Sequence, residues 1–222
     1  MAKQDELFRP YDRYGEALKR KIRQEFNRLL LAGFDELSVV QAKQTTKTIW
    51  ERVDRFIRKN LRELCAWVYE WVYVLYGKKP PDRDWTKVVD DWLKGYDPVT
   101  RYVYDNELER KRLRLLEEIL TAREFQDRPG LEKTLKTTAG LLLTQGLQYG
   151  LDLMGETEKR AYEEIGPEVY VQYHACDDDR TCEDCWQYNG MVFPIDEAPR
   201  IPQHYRCRCW YTPAEKPEEP EE

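Results

Sequence analysis

Residues 39–76 read VVQAKQTTKTIWERVDRFIRKNLRELCAWVYEWVYVLY. Ile49, Val53, Phe56, Ile57, Leu61, Leu64, Val68, Trp71, Val72 and Leu75 recur at three- and four-residue steps, so one face of a single long helix collects them. Arg52, Arg55, Arg58, Lys59 and Arg62 give that stripe a basic flank. Cys65 follows Leu64 and reads as a small buried hydrophobe, since no metal-ligand spacing surrounds it. The aromatic run Trp67–Tyr73 reads as a core or an oligomer contact. Gly77-Lys78-Lys79-Pro80-Pro81 ends the helix.

The same period extends in both directions. Residues 14–34 place Leu18, Ile22, Phe26, Leu29 and Leu30 on one face, with Gly33 as a stop and a polar turn through Asp35 and Glu36. Asp84 caps a short helix over WTKVVDDWLKGY that Gly95 closes. Residues 99–125 resume the pattern through Val103, Leu108, Leu115, Leu116 and Ile119. Their cations Arg110, Lys111, Arg112 and Arg114 lie among Glu107, Glu109, Glu117 and Glu118, as on a salt-laced exposed face. Pro129-Gly130 opens a segment striped by Leu135, Leu142, Leu143, Leu147 and Leu151, with Gly140, Gly146 and Gly150 allowing close helix packing while lowering its helix propensity. A separate short helix is expected over Glu158–Ile165, stopped by Gly166-Pro167.

The 222 residues carry 36 Lys+Arg and 42 Asp+Glu, a net charge of -6 that describes neither half of the chain. Residues 1–150 hold 29 basic and 24 acidic side chains, and residues 151–222 hold 7 and 18. A hydrophobic content of 41% rules out a wholly disordered chain. No apolar run reaches the roughly 18 residues that a membrane helix needs, and MAKQDELFRP lacks the apolar core of a secretory signal. Phosphate loops, nucleophile elbows and paired-histidine zinc motifs are missing from the first half. The fold expected is mainly α: a helical scaffold over 1–166, a small cysteine-rich α+β module over 167–213, and an acidic Pro/Glu tail over 214–222.

Five of the six cysteines fall in that module. Val169, Val171 and Tyr173 alternate as a strand does. Cys176, a CxxC of Cys182 and Cys185, and then His204, Cys207 and Cys209 follow. Four soft donors in two short clusters suit a structural zinc, with Cys182, Cys185, Cys207 and Cys209 as the simplest set and His204 or Cys176 as substitutes. Arg180, Arg206 and Arg208 are placed to offset the thiolate charge. Disulfides and reduced thiols remain open at this point, as do a redox pair and a Cys–His nucleophile. Asp177, Asp178 and Asp179 lack an EF-hand pattern and read as a turn.

The text YHACDDDRTCEDCWQYNGMVF followed by IPQHYRCRCWYTP resembles the phage Mu F-like head-morphogenesis family. Asp179, Arg180, Cys182, Cys185, Gly190, Pro202, His204, Cys207, Arg208 and Cys209 carry the likeness, over about 45 residues, and the order of helices and module extends it loosely over 100–213.

The resemblance implies a structural, non-enzymatic minor capsid or head-morphogenesis protein of a tailed bacteriophage, assembled in the host cytoplasm and retained in the virion. It would dock at the portal vertex or procapsid, with the portal protein and the major capsid or scaffolding protein as partners, form oligomers, and aid DNA packaging or ejection. Non-specific DNA contact is compatible with the basic first half, and no membrane role is expected. The alternative is a zinc-containing nucleic-acid-binding protein with a helical oligomerisation arm, whose polyanion surface would use Arg52, Arg55, Arg58, Lys59, Arg110, Lys111, Arg112 and Arg114.

Overall fold

The computed structural model describes residues 2–31, 37–93, 98–176 and 182–218. Gly33, Asp35, Glu36, Gly95, Asp177, Asp178, Asp179 and Arg180 lie outside them, as do the side chains of Val103, Glu107 and Leu108. Five helices come first: α1 (Ala2–Leu31), α2 (Val39–Leu75), α3 (Trp85–Asp91), α4 (Pro98–Phe125) and α5 (Arg128–Ile165). Strand β1 (Tyr170–His174), the single-turn α6 (Glu183–Trp186), β2 (Val192–Pro194) and β3 (Trp210–Ala214) complete the chain. The mainly α fold with a small α+β module is therefore present. Among the described residues no helix is long and apolar enough to cross a membrane.

Two expected boundaries move. Helix α1 begins at Ala2, not near residue 14, and carries Pro10 within it; Leu7, Phe8 and Tyr11 are buried and extend the apolar stripe back past the proline. Helix α5 is one 38-residue helix where two segments were expected. Two of its glycines are sites of close approach: a Cβ on Gly146 would lie 2.6 Å from Leu18 Cδ2, and one on Gly155 would lie 2.6 Å from the Ile201 carbonyl carbon. Tertiary packing over these positions outweighs the propensity lost at each glycine. Asp127 caps α5 by accepting the Gly130 N–H at 2.9 Å.

The chain divides into two compact units. Unit 2, residues 12–62 and 84–147, is helical. Leu18, Ile22 and Leu29 of α1, Val53, Ile57 and Leu61 of α2, and Leu115 and Ile119 of α4 form its core with Leu131, Leu135 and Leu142 of α5. Glu25 is fully buried there, held by Lys21 at 2.7 Å, Arg28 at 2.9 Å and Arg52 at 3.3 Å. The Asp84 side chain accepts the N–H groups of Thr86 and Lys87, the expected cap of α3.

Unit 1, residues 1–11, 63–83 and 148–222, contains the sheet. Strands β2 and β3 flank β1, both antiparallel to it. The alternation read from the sequence holds, with Val171 and Tyr173 fully buried. Trp67–Tyr73 is mostly core: Val68, Tyr69, Trp71, Val72 and Tyr73 are buried. From Tyr149 to Tyr162, α5 is buried on almost every side, including Leu153, Met154, Thr157, Glu158 and Ala161. A helix enclosed in this way serves as the unit's central support.

Candidate metal centre

The donors are brought together by local structure. Cys182 is the N-cap of α6, in extended conformation, and its sulfur accepts the Cys185 N–H at 3.4 Å. One helical turn thus sets the two CxxC sulfurs on the same side. Gly190, at φ 82°, turns the chain back into β2, a left-handed conformation that glycine adopts without strain. Its N–H donates to the Tyr173 carbonyl at 2.8 Å, and the Ala175 N–H donates to Asn189 Oδ1 at 3.0 Å.

The second donor group is fixed from α5. Ile201 is buried, its peptide bond to Pro202 is cis, and its carbonyl rests on the bare Gly155 backbone. Gln148 Oε1 accepts the Arg206 N–H at 2.9 Å, and the Cys207 N–H closes a turn onto the His204 carbonyl at 3.1 Å. Arg208 lies over the Phe8 ring at 4.5 Å, and Arg206 over Tyr205 at 5.3 Å.

Two donor groups result among the described residues: Cys182, Cys185 and His204, and Cys185, Cys207 and Cys209, each with its ligand atoms within 4.8 Å of one another. Cys185 is common to both. Cys176 belongs to neither group, and its sulfur accepts a hydrogen bond from Gln4 at 2.9 Å. Cys65 is fully buried, and desolvation pushes its thiol up to about 12, as expected of a packing residue.

One sulfur–sulfur separation is compatible with a shared cation. Two thiolates about 2.3 Å from one tetrahedral zinc stand roughly 3.8 Å apart, and Cys185 Sγ and Cys207 Sγ are 3.7 Å apart. A disulfide needs about 2.05 Å, and no disulfide occurs among the described residues. His204 Nδ1 faces the Tyr205 carbonyl at 2.9 Å, which only accepts, so the proton sits on Nδ1. The Nε2 lone pair then points towards Cys185 Sγ at 3.1 Å. That tautomer is the one a metal-binding imidazole requires.

Electrostatics favour thiolate at one position. The hydrogen bond with Cys209 lowers Cys207 to about 5 against the opposing effect of burial, and the same bond raises Cys209. Burial raises Cys185 to about 12. Tyr173 is completely buried, with no oxygen or nitrogen partner for its hydroxyl among the described residues. Burial first, and then the sulfurs of Cys209 and Cys185 beside it, push its pKa up. An otherwise orphaned donor facing sulfur is suited to hydrogen-bond a metal-bound thiolate. The donor set, the imidazole tautomer and this hydroxyl fit a zinc-type ion.

The sequence missed Glu158 and Tyr162, which hold the sheet to α5, and nothing in a lone Glu beside two glycine-spaced turns announces that role. The family comparison covers this whole region: the model of the phage Mu protein F like family matches residues 121–212. No curated protein and no solved structure matches the chain. From the end of α4 into β3, the chain is similar to the phage Mu protein F like family.

Proposed function

We propose that the chain is a structural head-morphogenesis protein of a tailed phage, a minor capsid component that docks at the portal vertex or procapsid. The observation that carries this reading is the family match over 121–212, which takes in α5 and every residue of the two donor groups. In this reading the protein has no turnover activity, and its terminal module is a rigid docking element that takes part in DNA packaging or ejection. Four of the five donors Cys182, Cys185, His204, Cys207 and Cys209 hold one structural zinc. When bound, the ion supplies folding free energy and ties α6 to the 201–209 loop. Asp179, Arg180, Gly190, Pro202 and Arg208 act as the structural frame of the module. The domain division at 166 and 213 remains part of this proposal.

The nucleic-acid alternative draws less support. Arg52 pairs with Glu25, Arg58 with Asp54 and Asp90, Arg62 with Asp90, and Arg112 with Glu109. Lys111 donates to Gln145 at 2.7 Å. Cations held by neighbouring side chains are less available to phosphates.

The test is to isolate procapsids and mature particles made with and without the chain. The proposal expects the chain in both, co-purification with the portal protein, and particles deficient in DNA content or infectivity when it is missing. Absence from the particles, with normal yield and infectivity of heads made without it, would overturn the reading.

A further inference from the structure

Unit 2 carries an open groove of about 590 Å³ between α1 and α5, lined by Phe26 and Leu30 on one side and Leu135 and Leu143 on the other. Arg23 of α1 and Lys136 of α5 also line it, and neither forms an ion pair among the described residues. The one carboxylate in the lining, Glu132, is engaged by Arg128 at 3.4 Å. The groove therefore offers an apolar floor between two uncompensated cations.

The opposite character appears in unit 1. Trp186 is 52% exposed and Met191 is 48% exposed, both on the turn formed by α6 and the residues after it. Glu183 and Asp184, exposed just before them, form no ion pair among the described residues. This is an apolar knob with an acidic collar. The surplus charges of residues 1–150 and 151–222 differ in sign in the same sense.

We propose that the Trp186–Met191 knob of one copy seats in the α1–α5 groove of a second copy. Two grooves facing each other would set like charges together, which disfavours a symmetric groove-to-groove dimer. Knob into groove joins opposite charges around buried aromatic and aliphatic surface. Because the two patches differ, the contact is head-to-tail and generates a ring or an open chain of copies. The inference stands on exposure and charge, independently of the phage reading.

Analytical ultracentrifugation of the full chain over a concentration series tests it. Concentration-dependent association is expected, weakening at least about tenfold between roughly 0.05 M and 0.5 M salt. The groove variant Arg23→Glu/Lys136→Glu and the knob variant Trp186→Ala should each weaken association about tenfold or more while keeping the wild-type helical circular dichroism. Combining Arg23→Glu/Lys136→Glu with Glu183→Lys/Asp184→Lys should restore association. A chain that stays monomeric at all concentrations, or associates equally well in both variants, would overturn the proposal, as would a charge-swapped combination that remains dissociated with its helical signal intact.

Discussion

Glu158 in α5 accepts the Tyr211 N–H of β3 at 2.8 Å, and Tyr162, one turn further along, donates its hydroxyl to the Tyr211 carbonyl at 3.4 Å. Strand β3 is an edge of the three-stranded sheet, so these backbone groups would otherwise be left for solvent or another chain. The helix closes the edge with two side chains spaced i, i+4. The Tyr211 hydroxyl reaches on to the Pro199 carbonyl, in the loop that leads to the candidate metal centre. Sheet, helix and donor loop are thus one packed structure within unit 1.

Burial raises the Glu158 carboxyl from 4.5 to about 8, with the Tyr211 N–H opposing part of that rise. Between those values the folded chain keeps a proton that the unfolded chain has released, so stability falls as pH rises through the window. Glu158→Gln keeps an acceptor for Tyr211 and removes the titration. Denaturant melts from about pH 5 to about pH 8 should show wild type losing stability relative to Glu158→Gln, by up to about 1.4 kcal/mol per pH unit. Parallel profiles would mean that Glu158 is charged in the folded chain.

Two glycines of α5 should respond in opposite directions to the same substitution. Gly155→Ala forces a Cβ against the Ile201 carbonyl, where backbone must move, and should cost about 2 kcal/mol or more. Gly140 has nothing within 4 Å of its Cβ direction and lies inside the helix. Gly140→Ala should stabilise by about 0.5–1 kcal/mol. Thermal melts of the two variants decide, and equal destabilisation would contradict the packing assigned to Gly155.

For Glu25, burial raises the pKa, but hydrogen bonds from Lys21 and Arg52 and the charge of Arg28 outweigh it and leave the carboxyl below 4.5. The stability from this lowered value is present above the unfolded pKa and is lost as pH falls through the folded one. Glu25→Gln should therefore be less stable than wild type at neutral pH, by about 1–3 kcal/mol, and the two should converge as pH falls through the lowered folded pKa. A difference that persists unchanged into acid would show that side-chain packing, not charge, accounts for it.

Among the cysteines, Cys185 stands in both donor groups and Cys176 in neither. Chelator-competition titrations with zinc should find Cys185→Ser weakened by more than about a hundredfold and Cys176→Ser within about threefold of wild type. Comparable losses in the two variants would place Cys176 among the ligands.

Much of the fold is legible in the residues. The stripe from Ile49 to Leu75 predicts α2 to within a residue of its end, Asp84 predicts the α3 cap, and the Val169–Tyr173 alternation predicts β1. Hydrophobic period reports which face is buried, not what covers it. It therefore gave no sign that α1, α2 and α5 each contribute to two compact units. Gly146 reads as a place of close packing at a cost in propensity, but the residues that approach Gly146 and Gly155, Leu18 and Ile201, lie far away in sequence. Spacing alone singles out Cys182, Cys185, His204, Cys207 and Cys209 as candidate ligands, with Cys176 as a further candidate. Their division into two groups sharing Cys185, the His204 tautomer and the Tyr173 hydroxyl depend on three-dimensional placement that spacing does not encode.

The most direct measurement is zinc content by mass spectrometry on full-length chain purified under reducing conditions without chelator, paired with a count of reactive thiols. About one zinc per chain is expected, released by chelator together with exposure of Cys182, Cys185 and Cys207 to alkylation and loss of module structure. Less than about 0.1 zinc per chain, in protein whose terminal module is folded and whose melting is unchanged by chelator, would contradict the metal-stapled module.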